Sequence, residues 1–511
     1  LLQARWAALA ALALGVVCGA LQPGPFVVPL VAALGFTLLV DGRTAGASAW
    51  VGAAFGLGWF GAWLQWLEVI GTDAWIALSA VCAVFFAGLG AGLAWVLPLR
   101  AGPVLAAAVW VGVELARSHV PFGGFPWARL ASGVEPLGPV SGPVLLGGLP
   151  LATFVLAAVG AGAARALRRR PRPAVAAVAV GATAAVLVLP LLLIPVPVAN
   201  EQPSLQVAVV QGDVPGEGLD FLGRRREVLG NHLRQTRLLA ADVRSGQVPQ
   251  PDLVVWPENA SDIDPFTDVT ARTGITAAAQ LVGAPILLGA VVEVPGRPDQ
   301  VRNTAVLWDP ATGPRSVYVK QRPVPFGEYI PFRSVIEDLV TRLDRVPRDF
   351  VPGDAVGTFE VAGATLGVVI CFEVAADDIV RETVREGAQA LVVLTNNATY
   401  AATDQPEQQF AVTRTRGVEH RRDVVVAATT GISAFVGPDG GVRAELPQSE
   451  PGYLSSSVGL SGTLTPAGRW GGVGEWGLAI VGLLACIVGW RAARRRHDTS
   501  SASEQTSRSI A

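Results

Sequence analysis

Eight apolar stretches, most near the 20 residues that cross a bilayer as a helix, are interrupted once by a long polar block. That pattern limits the possible folds more than any other feature. The stretches lie at about 6–22, 25–40, 47–70, 74–98, 103–120, 142–164, 174–195 and 474–490. Charged residues make up 16% of the chain and the hydrophobic set 51%, with 58 glycines besides, which excludes a single water-soluble globule and a disordered chain. A membrane protein with room for a large soluble domain remains. The net charge of −2 gives no global basic field, so no nucleic-acid partner is expected.

Arginine placement supplies an orientation. With a cytoplasmic N-terminus, the inside segments carry Arg5, Arg43, Arg100, the group Arg165, Arg168, Arg169, Arg170 and Arg172, and finally Arg491, Arg494, Arg495 and Arg496. All basic clusters then fall on one side, as the positive-inside rule requires. Arg5 before an apolar run resembles a leader, but further spans follow at once, so a retained helix is expected. The expected organisation is a seven-helix transmembrane domain at 1–198, an extracytoplasmic domain at 203–460, a transmembrane helix at 473–491 and a cytoplasmic, basic, disordered tail at 492–511.

Within the polar block, β-branched runs at Gln206 to Val210, Leu253 to Trp256, Ile286 to Val292, Val317 to Val319, Leu366 to Ile370, Leu391 to Leu394 and Val424 to Ala427 alternate with helix-like segments such as Arg224 to Asp242 and Gln408 to His420. This alternation predicts an α/β fold. Two Gly-x-Gly-x-x-Gly matches, at 56–61 and 472–477, sit in apolar runs rather than in a βαβ unit and predict close helix packing or a flexible entry instead of dinucleotide binding. Four histidines and no His-Glu-x-x-His, Cys-x-x-Cys or Gly-x-Ser-x-Gly leave little material for a metal site, and none is expected. Cys18, Cys82 and Cys486 lie in apolar runs, which argues against a disulfide framework.

Three reactive side chains each stand at or just past the end of a strand-like run: Glu258 after Leu253 to Pro257, Lys320 after Val317 to Val319, and Cys371 after Gly367 to Ile370. Ligands bind at strand ends in α/β sheets because the loops there can converge. A carboxylate can deprotonate a thiol, and an ammonium can favour the thiolate and stabilise the oxyanion formed on attack. Singly, each residue reads as well as a loop carboxylate, a solvated charge or a small buried hydrophobe. Glu328, eight residues past Lys320, could orient the ammonium or be a loop charge, and Glu373 could support the same network. Glu114 and Arg117, three apart, read as a pair neutralised at the membrane surface; Arg416 and Glu419 read as structural.

The flanks Val-Val-Trp-Pro-Glu258, Tyr-Val-Lys320 followed by Pro-Phe-Gly-Glu328, and Ile-Cys371-Phe-Glu373 resemble the nitrilase superfamily over roughly 205 to 445. Set between seven spans and one more, the domain resembles the apolipoprotein N-acyltransferase family. Glu328-Tyr329, Phe372-Glu373 and the membrane-part residues Trp110, Glu114, Arg117 and Phe125-Pro126-Trp127 also fit that family. The resemblance implies an α-β-β-α sandwich beside a multi-span helical membrane domain, with Glu258, Lys320 and Cys371 catalytic and Glu328, Glu373, Phe372 and Tyr329 supporting them. Phe221, Trp127 and Tyr400 become candidate substrate contacts.

The resemblance further implies a multi-pass bacterial plasma-membrane enzyme needing no cofactor. Its acyl donor would be a phospholipid, its acceptor the S-diacylglyceryl cysteine of an apolipoprotein, and its route a ping-pong through a cysteine thioester. The segment Pro325 to Pro352 is an expected lid. Two rivals stay open: a membrane-tethered amidase or nitrilase acting on a small C–N compound, and a transporter or sensor with an external binding domain.

Overall fold

A computed structural model describes residues 2–135, 137–169, 203–214, 225–333 and 346–510, with a few positions between 185 and 194. The expected seventh span and Phe221 therefore lie largely or wholly outside the described residues, as does 334–345 of the expected lid. The chain divides into two compact units, one of residues 1–193 with 470–511 and the other of 194–469.

The first unit is helical: α1 (Leu2–Ala20), α2 (Val27–Val40), α3 (Ala45–Trp63), α4 (Thr72–Val96), α5 (Gly102–Arg117) and α6 (Ser141–Arg168), joined by most of the last helix of the chain. Among the described residues, three helices, Thr72–Val96, Gly138–Arg168 and Pro466–Arg496, are long and apolar enough to cross a membrane. Glycines set the crossings. A Cβ on Gly58 of α3 would stand 2.3 Å from the Leu12 carbonyl oxygen of α1, and one on Gly52 would stand 2.0 Å from that of Phe86 in α4. The first Gly-x-Gly-x-x-Gly match is thus a packing seam.

Glu114 and Arg117 do not form the expected surface pair. Both are buried, and each has its own partners: Glu114 accepts from Trp110 Nε1, the Leu130 N–H and Thr153 Oγ1, whereas Arg117 donates to the carbonyls of Phe125 and Trp127. Away from water, backbone carbonyls and indole N–H groups compete well for such charges.

The second unit contains two sheets. The first has the order β13 (Gly452–Gly459), β1 (Ser204–Gln211), β2 (Leu253–Val255), β3 (Ile286–Val294), β4 (Arg297–Asp309), β5 (Gly313–Val319), with β6 (Asp349–Phe350) beside β4. The second has the order β12 (Val442–Leu446), β11 (Ser433–Val436), β10 (Val424–Ala428), β9 (Ala390–Thr395), β8 (Ala364–Ile370), β7 (Thr358–Val361). Strand alternation builds the layers. Leu205, Val207, Val209, Leu253 and Val255 share one core with Val368, Ile370, Val392 and Leu394 of the other sheet. Ala208, Val210, Val254 and Trp256 face the opposite way, into a core with α7 (Arg225–Ser245) and α8 (Val269–Val282). The second sheet is backed by α9 (Asp377–Arg385) and α10 (Gln405–His420), so the order of layers is the expected α-β-β-α.

The final helix, α11, runs Pro466–Ile510 and contains the second Gly-x-Gly-x-x-Gly match. The tail from 492, expected to be disordered, continues this helix. No glycine or proline follows Gly489, so nothing in the tail breaks an established helix despite its serines and threonines.

Candidate active site

Strand direction brings the three reactive residues to one end of the sandwich. β1, β2 and β3 are parallel; β4 turns back on β3 and β5 turns back on β4, so β5 again runs with β2. Glu258 and Lys320 therefore follow strands that end at the same edge. Cys371 follows β8, which is parallel to β9 and β10 in the facing sheet.

Pro257, with no N–H to extend a ladder, stops β2 and places Glu258 in the loop. Gly289 of β3 lets that loop approach closely, since a Cβ there would fall 2.5 Å from Glu258 Cα. Lys320 is anchored on both backbone sides: its N–H donates to the Asn303 carbonyl and its carbonyl accepts from the Gly353 N–H, each at 2.9 Å. Cys371 has φ +54°, a left-handed conformation that only a rigid surround holds in a non-glycine residue, and it opens a 3-10 turn, Cys371–Ala375. Arg416 of α10 fixes that turn by donating to the carbonyls of Val374 and Ala375 at 2.8 and 3.2 Å.

The side chains form a charged cluster. Lys320 is 1% exposed and its Nζ lies 3.3 Å from Glu258 Oε1 and 2.9 Å from Glu328 Oε2. Asn303 Nδ2 bridges the two carboxylates, donating to Glu258 at 2.7 Å and Glu328 at 2.8 Å. The other Glu258 oxygen accepts from the Asn396 N–H at 2.8 Å, and Glu328 accepts from the Val324 N–H at 2.7 Å. Burial opposes the ammonium, but the carboxylates of Glu328 and Glu258 outweigh it and hold Lys320 above the ordinary lysine range. At the half-buried Cys371, burial and then the charge of Glu258 push the thiol up to about 12, against the opposing pull of Lys320 and a hydrogen bond from Thr395. The resting sulfur is a thiol, and a proton acceptor is needed to activate it.

The remaining expected residues fall into distinct places. Glu328 joins Lys320 directly. Glu373 is turned away, accepting from Tyr318 OH, the N–H groups of Gln321 and Arg322, and the Ile370 N–H, so it ties the loop after β5 to the Cys371 turn. Burial raises its carboxyl above the usual value despite Lys320 and these donors. Tyr400 is raised by burial first and then by the charges of Cys371 and Glu328, which puts it within electrostatic reach of both. Phe372 is half-buried beside Cys371, and the Tyr329 carbonyl accepts from the Phe326 N–H in a tight turn carrying Glu328. Trp127 belongs to the helical unit and is 2% exposed, its ring 6.1 Å from that of Trp66.

Sequence reading missed Asn303, Thr395 and Asn396. Asn303 lies between Arg302 and Thr304 in the polar half of β4, where no apolar run marks it, and Thr395-Asn396 stand at a strand end as the three reactive residues do. Among the described residues, no group of three His, Cys, Asp or Glu could hold a metal ion.

The sandwich and its strand-end cluster have the form of a carbon–nitrogen hydrolase, and residues 206–463 match that family. Residues 10–162 match the apolipoprotein N-acyltransferase N-terminal domain. The chain belongs to the apolipoprotein N-acyltransferase family: it is 38% identical to the apolipoprotein N-acyltransferase of Mycolicibacterium smegmatis over 90% of its own length and 80% of the relative's. It is 28% identical to that of Pseudomonas paraeruginosa over 94% and 96%. Among solved structures, an amidase from Nesterenkonia sp. aligns over 52% of this chain and 92% of its own at 20% identity, with a TM-score of 0.36. The chain is accordingly an enzyme of the carbon–nitrogen hydrolase superfamily.

Proposed function

We propose that this chain transfers an acyl group from a phospholipid to the α-amine of the S-diacylglyceryl cysteine that begins an apolipoprotein, in two steps through a Cys371 thioester. The observation that carries the reading is the buried Glu258–Lys320–Glu328 cluster at the same end of the sandwich as the left-handed Cys371, in a chain of this family.

In the first step Glu258 takes the thiol proton as sulfur attacks the ester carbonyl. Lys320 faces the developing oxyanion, and the leaving lysophospholipid oxygen takes the proton back from Glu258. In the second, the amine attacks the thioester, its lost proton passes to Glu258, and the departing sulfur recovers it. Lys320 keeps its charge throughout because two carboxylates flank it. Glu328 and Asn303 hold that geometry with Glu373, Phe372 and Tyr329 in support, while Tyr400, Phe221 and Trp127 are assigned to substrate.

The arginine pattern supports a multi-pass plasma-membrane protein with both termini cytoplasmic and residues 203–460 outside, between spans in 1–198 and a span at 473–491. Withdrawing an acyl chain into water costs about 0.8 kcal/mol per CH₂, which rationalises tethering this chemistry to a bilayer.

Intact-mass analysis of purified chain mixed with phospholipid tests the reading. A hydroxylamine-labile acyl adduct on Cys371, discharged by a diacylated lipopeptide, is expected. Active enzyme that never carries the adduct, or that releases ammonia from small amides with no lysophospholipid, would overturn it.

A further inference from the structure

Behind Cys371 lies a buried amide network that the mechanism above does not use. Thr395 closes β9, Asn397 follows it, and Gln405 and Gln409 stand four apart on α10; all four are at most 5% exposed. Thr395 Oγ1 lies 3.4 Å from Cys371 Sγ, 3.2 Å from Asn397 Oδ1 and 2.8 Å from Gln409 Nε2.

Counting donors leaves two self-consistent arrangements, related by turning all three amides over together. In one, Gln409 Oε1 accepts from Asn397 Nδ2 at 3.1 Å and from Gln405 Nε2 at 2.9 Å, and turning any single amide alone would set donor against donor or acceptor against acceptor. Asn397 Nδ2 also donates to Gln405 Oε1 at 2.7 Å, which leaves Asn397 Oδ1 facing Thr395. Gly431 leaves room for that oxygen, since a Cβ there would fall 2.4 Å from it. Gln409 Nε2 then donates to Thr395; with all three amides turned over, Asn397 donates instead and Gln409 accepts. Either way the hydroxyl accepts from one amide and keeps a single proton with two places to send it, the other amide's oxygen or the sulfur.

We propose that Thr395 is a hydroxyl rotor for the Cys371 sulfur, donating to the neighbouring amide oxygen of Asn397 or Gln409 while sulfur bears a proton or an acyl chain and swinging to sulfur whenever a thiolate forms. The inference deepens the thioester reading above and rests on it for its catalytic meaning. A donor that engages only the anion stabilises sulfur both as attacking group and as leaving group, without binding the resting thiol more tightly. Gln409 is a positioning residue: in either amide arrangement it is one of the two groups that hold the Thr395 hydroxyl beside the sulfur, at 2.8 Å. The rotor moves one O–H bond and makes or breaks no covalent bond.

The other charged or titratable groups facing the sulfur are Glu258 after β2, Lys320 and Glu328 after β5, and Tyr400 after β9. All remain in the variants below. The experiment is the rate of iodoacetamide alkylation of Cys371 in the full chain in detergent, read by peptide mass spectrometry between pH 6 and 9, with Cys18, Cys82 and Cys486 as internal references. Below the thiol's titration point this rate follows the thiolate fraction.

Losing a hydrogen bond to a charged group corresponds to a shift of about one pH unit, so Thr395→Val is expected to alkylate roughly tenfold more slowly across this range. Thr395→Ala is expected to slow alkylation similarly although it widens access, while Thr395→Ser stays within about threefold of the parent and Gln409→Leu falls between. Parent-like rates in the valine and alanine variants, or a serine variant as slow as alanine, would overturn the rotor. Melting curves check that each variant is folded; if valine is not, the alanine–serine pair and Gln409→Leu decide alone. Alkylation needs no turnover. Full acyl transfer by Cys371→Ala would therefore sink the thioester reading separately, whatever the alkylation rates.

Discussion

The sandwich buries two cations in nearly the same way. Lys320 lies between Glu258 and Glu328, and Arg416 lies between Asp377, at 2.5 Å, and Glu419. Each is one positive charge between two carboxylates, and each stands close in the fold to the Cys371 turn. What differs is what the remaining hydrogens do. Arg416 spends them on the carbonyls of Val374 and Ala375, so its whole fork is consumed by architecture. Lys320, a compact ammonium on a flexible stem, has no such backbone obligation at its charged end and stands beside a half-buried sulfur. Charge compensation alone therefore does not mark a reactive site. A compensated cation becomes chemically useful where it retains a direction in which to meet new negative charge.

Removing each cation should separate these roles with the largest effects. Arg416→Met leaves Asp377 and Glu419 buried without their partner and should cost about 3–5 kcal/mol of stability, read as a lowered unfolding midpoint in detergent. Arg416→Lys should recover only part of this, because one ammonium cannot serve two carboxylates and two carbonyls at once. Lys320→Met should instead lower acyl transfer by roughly 10²–10³ or more, read by lysophospholipid release. If Lys320→Met mainly unfolds the protein while Arg416→Met mainly silences a stable one, the comparison is wrong.

His232 shows the other way to bury a base, which is to leave it uncharged. Its ring is fully buried, Nε2 accepts from the Gly212 N–H, Nδ1 faces the Val228 carbonyl, and burial lowers its pKa to about 4. Above pH 6.5 the ring is neutral in folded and unfolded chains and contributes no pH dependence. Between pH 6.5 and about 4 the unfolded chain binds the proton first, so stability should fall by up to about 3 kcal/mol and then level off. Thermal unfolding across that window checks it, and His232→Gln should flatten the decline. The compensated Lys320 acts at the opposite end: its folded value is raised, so its contribution is complete at neutral pH and is lost only as alkali passes above the ordinary lysine range.

Periodicity found the parts of the sandwich where both faces are apolar. The runs at Val207 to Val210, Leu253 to Val255, Leu366 to Ile370 and Leu391 to Leu394 are buried central strands, and they carry Glu258 and Cys371 at their ends. β4 and β12 escaped because their exposed faces carry Arg297, Asp299, Arg302, Arg443 and Glu445, and partly solvated strands lose the continuous apolar signal. The proposed trio of Glu258, Lys320 and Cys371 could be picked out as candidates because each member stands at or just past the end of an apolar run. Asn303 could not, since its role appears only when two turns of the chain bring Glu258 and Glu328 to the same amide. The Glu114–Arg117 reading failed for a related reason: helix spacing put the two near each other but could not reveal that the loop from 118 to 130 folds back to supply the carbonyls Arg117 prefers and the N–H that Glu114 accepts.

Smaller effects sharpen the same contrast at its edges. Glu328→Gln keeps one acceptor oxygen, which at the Oε2 position serves both Lys320 and the Val324 N–H, but it removes one of the two flanking charges and turns an NH₂ toward the Asn303 amide, so acyl transfer should fall about tenfold, roughly 1.4 kcal/mol, with a smaller loss in the unfolding midpoint. Arg322 and Asp378 form a third pair, at 2.6 Å, linking the loop after β5 to the start of α9. Here the guanidinium is 24% exposed and the carboxylate 46%, so water already compensates both charges. Burial drives the Asp378 value up, yet the bond and charge of Arg322 win and hold it below the ordinary carboxylate value. Arg322→Ala should therefore cost no more than about 1 kcal/mol, and that loss should shrink further at high salt. The Glu373 bonds to the Gln321 and Arg322 N–H groups survive this substitution because they are made by backbone. A loss of activity larger than the loss of stability would show that the Arg322 side chain, rather than this backbone clasp, sets the position of Lys320.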